Sequence, residues 1–264
     1  MRATRETRGL SLRALARELG LSPATMSAIE RDRVPVTVER TRAIAAALGT
    51  TPESLLRGEV LTAVPFGSGS DQDWRHYGDL ALDPVLEAAT HVFVKYGYHA
   101  ATMRQIAMEA GLSPAGVYHH YSRKQELIVA LLGVTMTEIR WRILAARDDG
   151  TTAVESFSLM VESLALFHAV RGDLAFLGAT EMRALDEPDH RRVVALRDEV
   201  QHLLDAQVDR CFESGEFGVV NPRVAARAIA TMCTSLPSWF RSDGGLSAAE
   251  VARDYAAYAV IMMR

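Results

Sequence analysis

The pentapeptide Gly-Leu-Ser-Pro-Ala occurs twice in this chain, at residues 20–24 and again 91 residues later at 111–115. Each copy follows an alanine by the same spacing, Ala16 before Gly20 and Ala107 before Gly111. A small residue lets two helices touch, and a glycine four positions on supplies the left-handed turn between them. The serine then caps the second helix, and the proline occupies a first-turn position whose missing N–H leaves nothing unpaired. The pattern predicts two helix-turn-helix units, so the chain must be helical at two places far apart.

The rest of the sequence agrees with an all-α fold. Apolar residues recur at spacings of three and four, and no Val/Ile/Thr run of strand length alternates with polar residues. Helix starts are expected at Asp83-Pro84, Ser113-Pro114, Asn221-Pro222 and Ser247, the last with Glu250 in capping-box spacing. Breaks are expected at Gly97, Gly111, Asp148–Gly150, Gly172, Glu187-Pro188, Gly215–Gly218 and Gly244-Gly245. These signals predict about nine helices after a linker and four or five before it. The linker is marked by Pro65–Asp73, PFGSGSDQD, which lacks the apolar surface to fold. The expected organisation is a helical domain over 1–60, a linker over 61–82, a second DNA-binding unit over 83–130 and a helical body over 131–264. Trp74 and Tyr77 either dock on the following domain or stay exposed.

With 264 residues, 48% of them hydrophobic, the chain has material for more than one core. Its net charge of −4 is unevenly spread: residues 1–60 carry +3, 83–147 carry +2, and 148–264 carry −7. Basic helical segments on an acidic body suit a polyanion held by local cations, although solvated helix faces have the same composition. Cys211 and Cys233 stand far apart, so neither a disulfide scaffold nor a zinc site is indicated. His119 and His120 are adjacent, and neighbours on a helix point different ways, so no metal is expected there. The N-terminus has no apolar signal core, and Tyr255–Met263 is too short to span a bilayer. A cytoplasmic protein without membrane segment or cofactor is therefore expected. No HExxH, GxSxG or CxxC occurs, and GSGS at 67–70 lacks the strand and helix of a phosphate loop, so enzymatic activity is not expected.

In the first unit Leu12, Leu15, Leu19, Leu21, Met26 and Ile29 supply the expected core side. The helix after Ser22 is the expected reader of DNA bases, with Thr25 and Ser27 the groups able to hydrogen-bond and Arg31 at its far end. Ser11, at the start of the preceding helix, suits a phosphate oxygen, and Arg13 and Arg17 lie one turn apart, as backbone contacts or as solvated charges. The segment RGLSLRALARELGLSPATMSAIERDRVPVTVERTRAIAAALGTTPESLL resembles the Cro and phage-repressor type of helix-turn-helix domain over about residues 1–58. The family's first helix usually begins earlier than Met1 allows.

In the second unit Ile106, Leu112 and Val117 take the core positions. The stretch VLEAATHVFVKYGYHAATMRQIAMEAGLSPAGVYHHYSRKQEL resembles the DNA-binding domain of TetR-family repressors over about residues 83–130. The resemblance implies that Thr102 caps the second helix against phosphate, with Arg104 beside it. It also implies that Ser113, Ala115 and Gly116 approach the groove, that Tyr118 and His119 touch backbone or bases, and that Lys124 binds phosphate at the next helix start. Gly116 permits close approach, Tyr118 holds a donor on a rigid arm, and Lys124 adds an ammonium to a helix N-terminus. Ala115, Gly116 and Tyr121 stand where the family often has Gly, a small or hydroxylated residue, and Phe. Tyr121 equally suits packing behind the reader helix.

Beyond Leu127 the helices carry Met136, Trp141, Phe157, Met160, Phe167, Phe176 and Met182, side chains that fill a core and, in a TetR-like fold, line an effector cavity. His168, Glu181 and Arg183 either orient a ligand or are surface or paired residues. The segments EMRALDEPDHRRVVALRDEV and GEFGVVNPRVAARAIATMCTSLPSWFRSDGGLSAAEV look like the C-terminal domain of TetR relatives that sense acyl-coenzyme A or lipid-derived compounds. That likeness implies a small apolar or acyl effector. It also makes the helices near 222–236 and 247–262, rich in small and apolar residues, half of a four-helix homodimer interface, although a face that only completes the monomer core has the same composition. The expected function is a ligand-responsive DNA-binding regulator, a repressor released by its effector from a double-stranded operator. An adaptor that uses helix-turn-helix units to bind protein is the alternative.

Overall fold

The structure is a computed structural model, and it describes residue 5 and residues 12–30, 34, 36–47 and 73–264. The chain divides into two compact units, Met1–Phe66 and Gly67–Arg264. Among the described residues every regular element is helical.

In the first unit, α1 (Leu12–Glu18), α2 (Pro23–Glu30) and α3 (Val38–Ala47) surround a small core of Leu15, Ala16, Met26, Ile29 and Ile44. Leu12, Leu19 and Leu21 pack partly buried against it. Arg5 reaches Glu30 at the end of α2 through Nε at 2.7 Å, a pair with both side chains nearly buried.

The described residues of the second unit hold nine α-helices, in line with its break and cap signals: α4 (Pro84–Tyr96), α5 (Met103–Glu109), α6 (Pro114–His120), α7 (Lys124–Asp149), α8 (Ala153–Val170), α9 (Gly172–Thr180), α10 (Glu187–Glu213), α11 (Pro222–Thr234) and α12 (Ala248–Met263). Asp83 caps α4 through Val85 and Leu86, Ser113 caps α6, and Ser247 with Glu250 closes a capping box on α12. Asn221 precedes Pro222 as expected but makes no side-chain cap.

Two apolar cores lie along this unit, and α7 runs through both. Its Leu127, Ile128, Leu131 and Leu132 join α4, Ile106 and Val117 in one core, while Ile139, Ile143 and Ala146 join α8, α10 and α12 in the other. At about 1.5 Å rise per residue, the 26-residue α7 is a single rod near 39 Å long. Helix α8 has the length and hydropathy of a membrane span, but Phe157, Met160, Val161 and Phe167 are buried against α7 and α12 inside the second core.

Of the expected linker over 61–82, residues 61–72 lie outside the described residues. Residues 73–82 form a strap on the helical body: Trp74 is buried, and its Nε1 donates to Asp149 Oδ2 at 2.7 Å. Arg75 pairs with both oxygens of Glu162, at 2.8 and 3.1 Å. Arg142 donates to the carbonyls of Trp74 and His76 and stacks over the Tyr77 ring, and Arg171 donates to the Gly78 carbonyl at 2.8 Å. From Trp74 onward the aromatic rings and the strap's carbonyls find partners on α7, on α8 and at Arg171 just beyond it.

Candidate DNA interface and effector cavity

The two helix-turn-helix units share their turns bond for bond. Gly20 and Gly111 have φ of 64° and 67°, the left-handed region that glycine occupies at no steric cost. Leu21 donates to the Ala16 carbonyl at 2.8 Å and Leu112 to the Ala107 carbonyl at 2.9 Å, while Gly20 and Gly111 donate to Arg17 and Met108, each at 3.2 Å. This closure satisfies carbonyls left open at the end of each first helix. Ser22 Oγ accepts from the Thr25 amide at 3.0 Å, and Ser113 Oγ accepts from the Gly116 amide at 3.1 Å.

On α2, the Thr25 hydroxyl also lies 2.8 Å from Ser22 Oγ, so it is partly engaged in the cap. Ser27 is half-buried, and Arg13 and Arg17 are exposed on α1. Ser11 and Arg31 lie outside the described residues.

On the second unit, Thr102 and Gln105 form a full capping box, with Thr102 Oγ1 accepting from the Gln105 amide and Gln105 Oε1 accepting from the Thr102 amide at 2.9 Å. Arg104, Ser113, Ala115, Tyr118 and His119 are exposed along α5 and α6, and Val117 faces the core. A Cβ added to Gly116 meets Ser113 Oγ at 3.5 Å and Leu112 Cβ at 3.7 Å, ordinary contact distances. The protein itself therefore leaves room for a side chain at Gly116. Tyr121 packs behind the reader rather than outward: its hydroxyl donates to Asp83 Oδ2 at 2.5 Å, and burial with this bond pushes its pKa up.

Lys124, expected on a phosphate, is also engaged by the protein itself. Its ammonium donates to the carbonyls of Tyr98 at 2.6 Å, His99 at 3.3 Å and Ala101 at 2.7 Å, and sits over the Tyr98 ring. Three donors meet three carbonyls, so Lys124 staples the α4–α5 turn to the start of α7. Burial lowers its pKa, as desolvation of an ammonium should.

A cavity of about 460 Å³ opens among α7, α8, α9, α10 and α11. Leu132, Met136, Ile139, Leu164, Val193 and Leu204 supply much of its apolar wall, with Thr135, His168 and Gln201 among its polar groups. Exposed Arg197, Asp198 and Arg227, with His190, also border it. Of the residues expected to line or orient a ligand, Met136, His168 and Met182 border this cavity. The others do not border it. Phe157, Met160 and Phe167 are fully buried in the second core, and Trp141 packs at its edge beside Arg142. Phe176 packs against the first core and borders a different, smaller pocket, and Arg183 is exposed. Large side chains mark where two helices meet, whereas a cavity lies where they do not. The signal in the sequence was the row Val193, Val194, Arg197, Gln201 and Leu204 on α10, whose three- and four-residue steps keep one face toward the cavity.

His168 is 5% exposed, and its Nδ1 lies 2.7 Å from the Leu164 carbonyl. Burial, opposed by that bond and assisted by Arg197, lowers its pKa to about 4. The ring is therefore neutral near pH 7, with Nδ1 as the donor and Nε2 as an acceptor.

Residues 85–131 match the family described as bacterial regulatory proteins, tetR family, and residues 150–263 match the tetracyclin repressor-like C-terminal domain. Residues 1–57 match a helix-turn-helix domain. The fatty acid metabolism regulator protein of Bacillus subtilis is 23% identical over 163 residues, 60% of this chain and 83% of that protein. A tetR-family regulatory protein from Rhodococcus RHA1 superposes with a TM-score of 0.65 at 26% identity, covering 68% of this chain and 95% of that one. AibR, solved in complex with isovaleryl coenzyme A and operator DNA, superposes with a TM-score of 0.60 at 23% identity over 68% of this chain and 95% of its own. The chain belongs to the TetR family of bacterial regulatory proteins and carries an additional helix-turn-helix domain ahead of the family's own.

Proposed function

We propose that this protein is a homodimeric, cytoplasmic transcriptional repressor that leaves its operator when an apolar, acyl-type effector fills the cavity among α7 to α11. The observation that carries this reading is the double duty of α7. Leu127, Ile128 and Leu131 sit in the core beneath the reader helix, and Thr135, Met136 and Ile139, two turns on, line the cavity. A ligand that displaces the middle of a rigid helix also displaces its reader end. In a dimer the two readers must match successive major grooves about 34 Å apart, so a small tilt suffices. A coupling of about 1–3 kcal/mol changes operator affinity roughly 5- to 150-fold.

The apolar wall suits an acyl chain, and Arg197 and Arg227 suit an anionic end such as a carboxylate or coenzyme A phosphates. The fatty acid regulator and the isovaleryl coenzyme A complex among the similar proteins support the same class. Dimerisation through α11 and α12 is supported by Val224, Tyr258 and Ile261, exposed at 68%, 55% and 68% on faces turned from the core. On α5 and α6 the reading takes Thr102, Arg104 and Ser113 to phosphate, and Ala115, Gly116, Tyr118 and His119 to the groove. In the first unit it takes Arg13, Arg17, Ser22, Thr25 and Ser27 to a second stretch of DNA.

Footprinting on DNA flanking the protein's own gene, at fixed salt, tests this reading with the full chain and with residues 73–264. A protected inverted repeat that is lost on adding decanoyl-coenzyme A is the expected result, with a shorter footprint for the truncated chain. Protection that persists at saturating acyl-coenzyme A rejects the effector, and no protection by either chain favours the adaptor reading.

A further inference from the structure

Two buried polar groups in the cavity wall, His168 and Thr135, share one property. The Nδ1–H of His168 is committed to the Leu164 carbonyl at 2.7 Å, and the Thr135 hydroxyl donates to the Leu131 carbonyl at 2.8 Å. Both side chains are at least nine-tenths buried, and both border the cavity. Their donors are spent on the protein, and what remains is acceptor capacity: Nε2 of His168 and the second lone pair of Thr135 Oγ1. Gln201, also buried, is oriented by its Nε2 donating to Asp205 Oδ1 at 2.9 Å. No protein group bonds His168 Nε2 among the described residues.

A purely hydrocarbon ligand would strip water from these acceptors and return nothing, which costs free energy for each buried group left unmade. A ligand carrying a hydroxyl or amide N–H at the right depth would replace that water bond with one to Nε2. We propose that the cavity selects a hydroxylated acyl ligand, its chain against Leu132, Ile139 and Leu164 and its hydroxyl donating to Nε2 of His168. The inference rests on the reading of this cavity as the effector site, and it narrows the ligand from any apolar acid to one with a donor along the chain. His168 is then the residue that determines specificity, since the aliphatic wall accepts either kind of chain.

The test is calorimetric binding of decanoic acid and its 2-, 3- and 10-hydroxy derivatives to the full chain and to H168N. Asparagine retains a donor near the Nδ1 position, able to hold the Leu164 carbonyl, and has no atom at the place of Nε2. The melting temperature and circular dichroism of H168N establish that it is folded, and H168Q, which returns a polar atom near Nε2, serves as the rescue. The expected result is that one hydroxydecanoic acid binds the wild-type chain about tenfold more tightly than decanoic acid. That preference disappears in H168N and partly returns in H168Q. Equal binding of all four acids to the wild-type chain, or a preference that survives in H168N, overturns the inference while leaving the cavity as an acid-binding site. Failure of all four acids to bind overturns the inference, and the effector reading falls with it only if decanoyl-coenzyme A also fails to bind.

Discussion

Arg142 Nη2 lies 2.7 Å from Glu138 Oε1, one turn apart on α7, with the two side chains 4% and 0% exposed. The guanidinium also holds the Trp74 and His76 carbonyls, and Arg171 approaches the same carboxylate at 3.4 Å. A charge pair this deep costs desolvation energy, which the carbonyl bonds and the stacking on Tyr77 help offset. Its structural consequence is to fix the strap on the helix that joins reader and cavity.

Removing one partner strands the other in a dry site. R142A is expected to destabilise the second unit by about 3–5 kcal/mol in urea unfolding, because Glu138 loses its main counter-charge. A loss below about 1 kcal/mol shows that water or Arg171 replaces it.

The strap also sets where the chain can be cut. A fragment starting at Asp73 is expected to unfold at the same temperature as the second unit of the full chain. One starting at Asp83 lacks Trp74 and the Arg75–Glu162 pair and melts several degrees lower. Equal melting temperatures for the two fragments mean that the strap is dispensable.

Lys124 and Tyr118 separate scaffold from interface. K124M leaves the carbonyls of Tyr98 and Ala101 without their donor and is expected to cost about 1–2 kcal/mol of stability, with the salt dependence of DNA binding unchanged. Y118A, at a half-exposed ring, is expected to weaken operator binding roughly tenfold with an unaltered melting temperature. A drop of about one in the slope of log affinity against log salt for K124M returns that lysine to the phosphate.

Gly111 and Gly116 differ in what they require. G111A forces alanine into φ 67° and is expected to cost about 1 kcal/mol. G116A meets only ordinary contacts and gains up to about 1 kcal/mol from helix propensity, yet weakens DNA binding. Unchanged operator affinity in G116A removes this position from the interface.

His168 gives the second unit a defined pH dependence. Its pKa falls from 6.5 unfolded to about 4 folded, so the unfolded chain takes up a proton first as pH drops. Stability contributed by the neutral ring is complete above 6.5 and is lost between 6.5 and about 4, a difference of about 3 kcal/mol. Unfolding curves of wild type and H168N should diverge across that window, and parallel curves show that the ring is protonated in the folded state.

Local chemistry made much of this protein legible from sequence. Both turns follow from alanine, glycine, serine and proline at fixed spacing, because each acts on its own backbone within a few residues. The same holds for the caps at Asp83, Ser113 and Ser247, and for the break at Gly172, while the cap at Thr102 came from the family resemblance. What sequence could not assign was the partner of a long side chain. Lys124 reads as a phosphate contact, Tyr121 suits the interface or packing behind the reader, and nothing local singles out Arg142; the three find carbonyls and a carboxylate 23 to 68 residues away. The cavity was hidden for a related reason. It is a gap left by the packing of five helices, so Phe157, Met160 and Phe167 filled the core beside it. Its polar positions fell to residues such as Thr135, His168 and Gln201, which only the folded helices bring together.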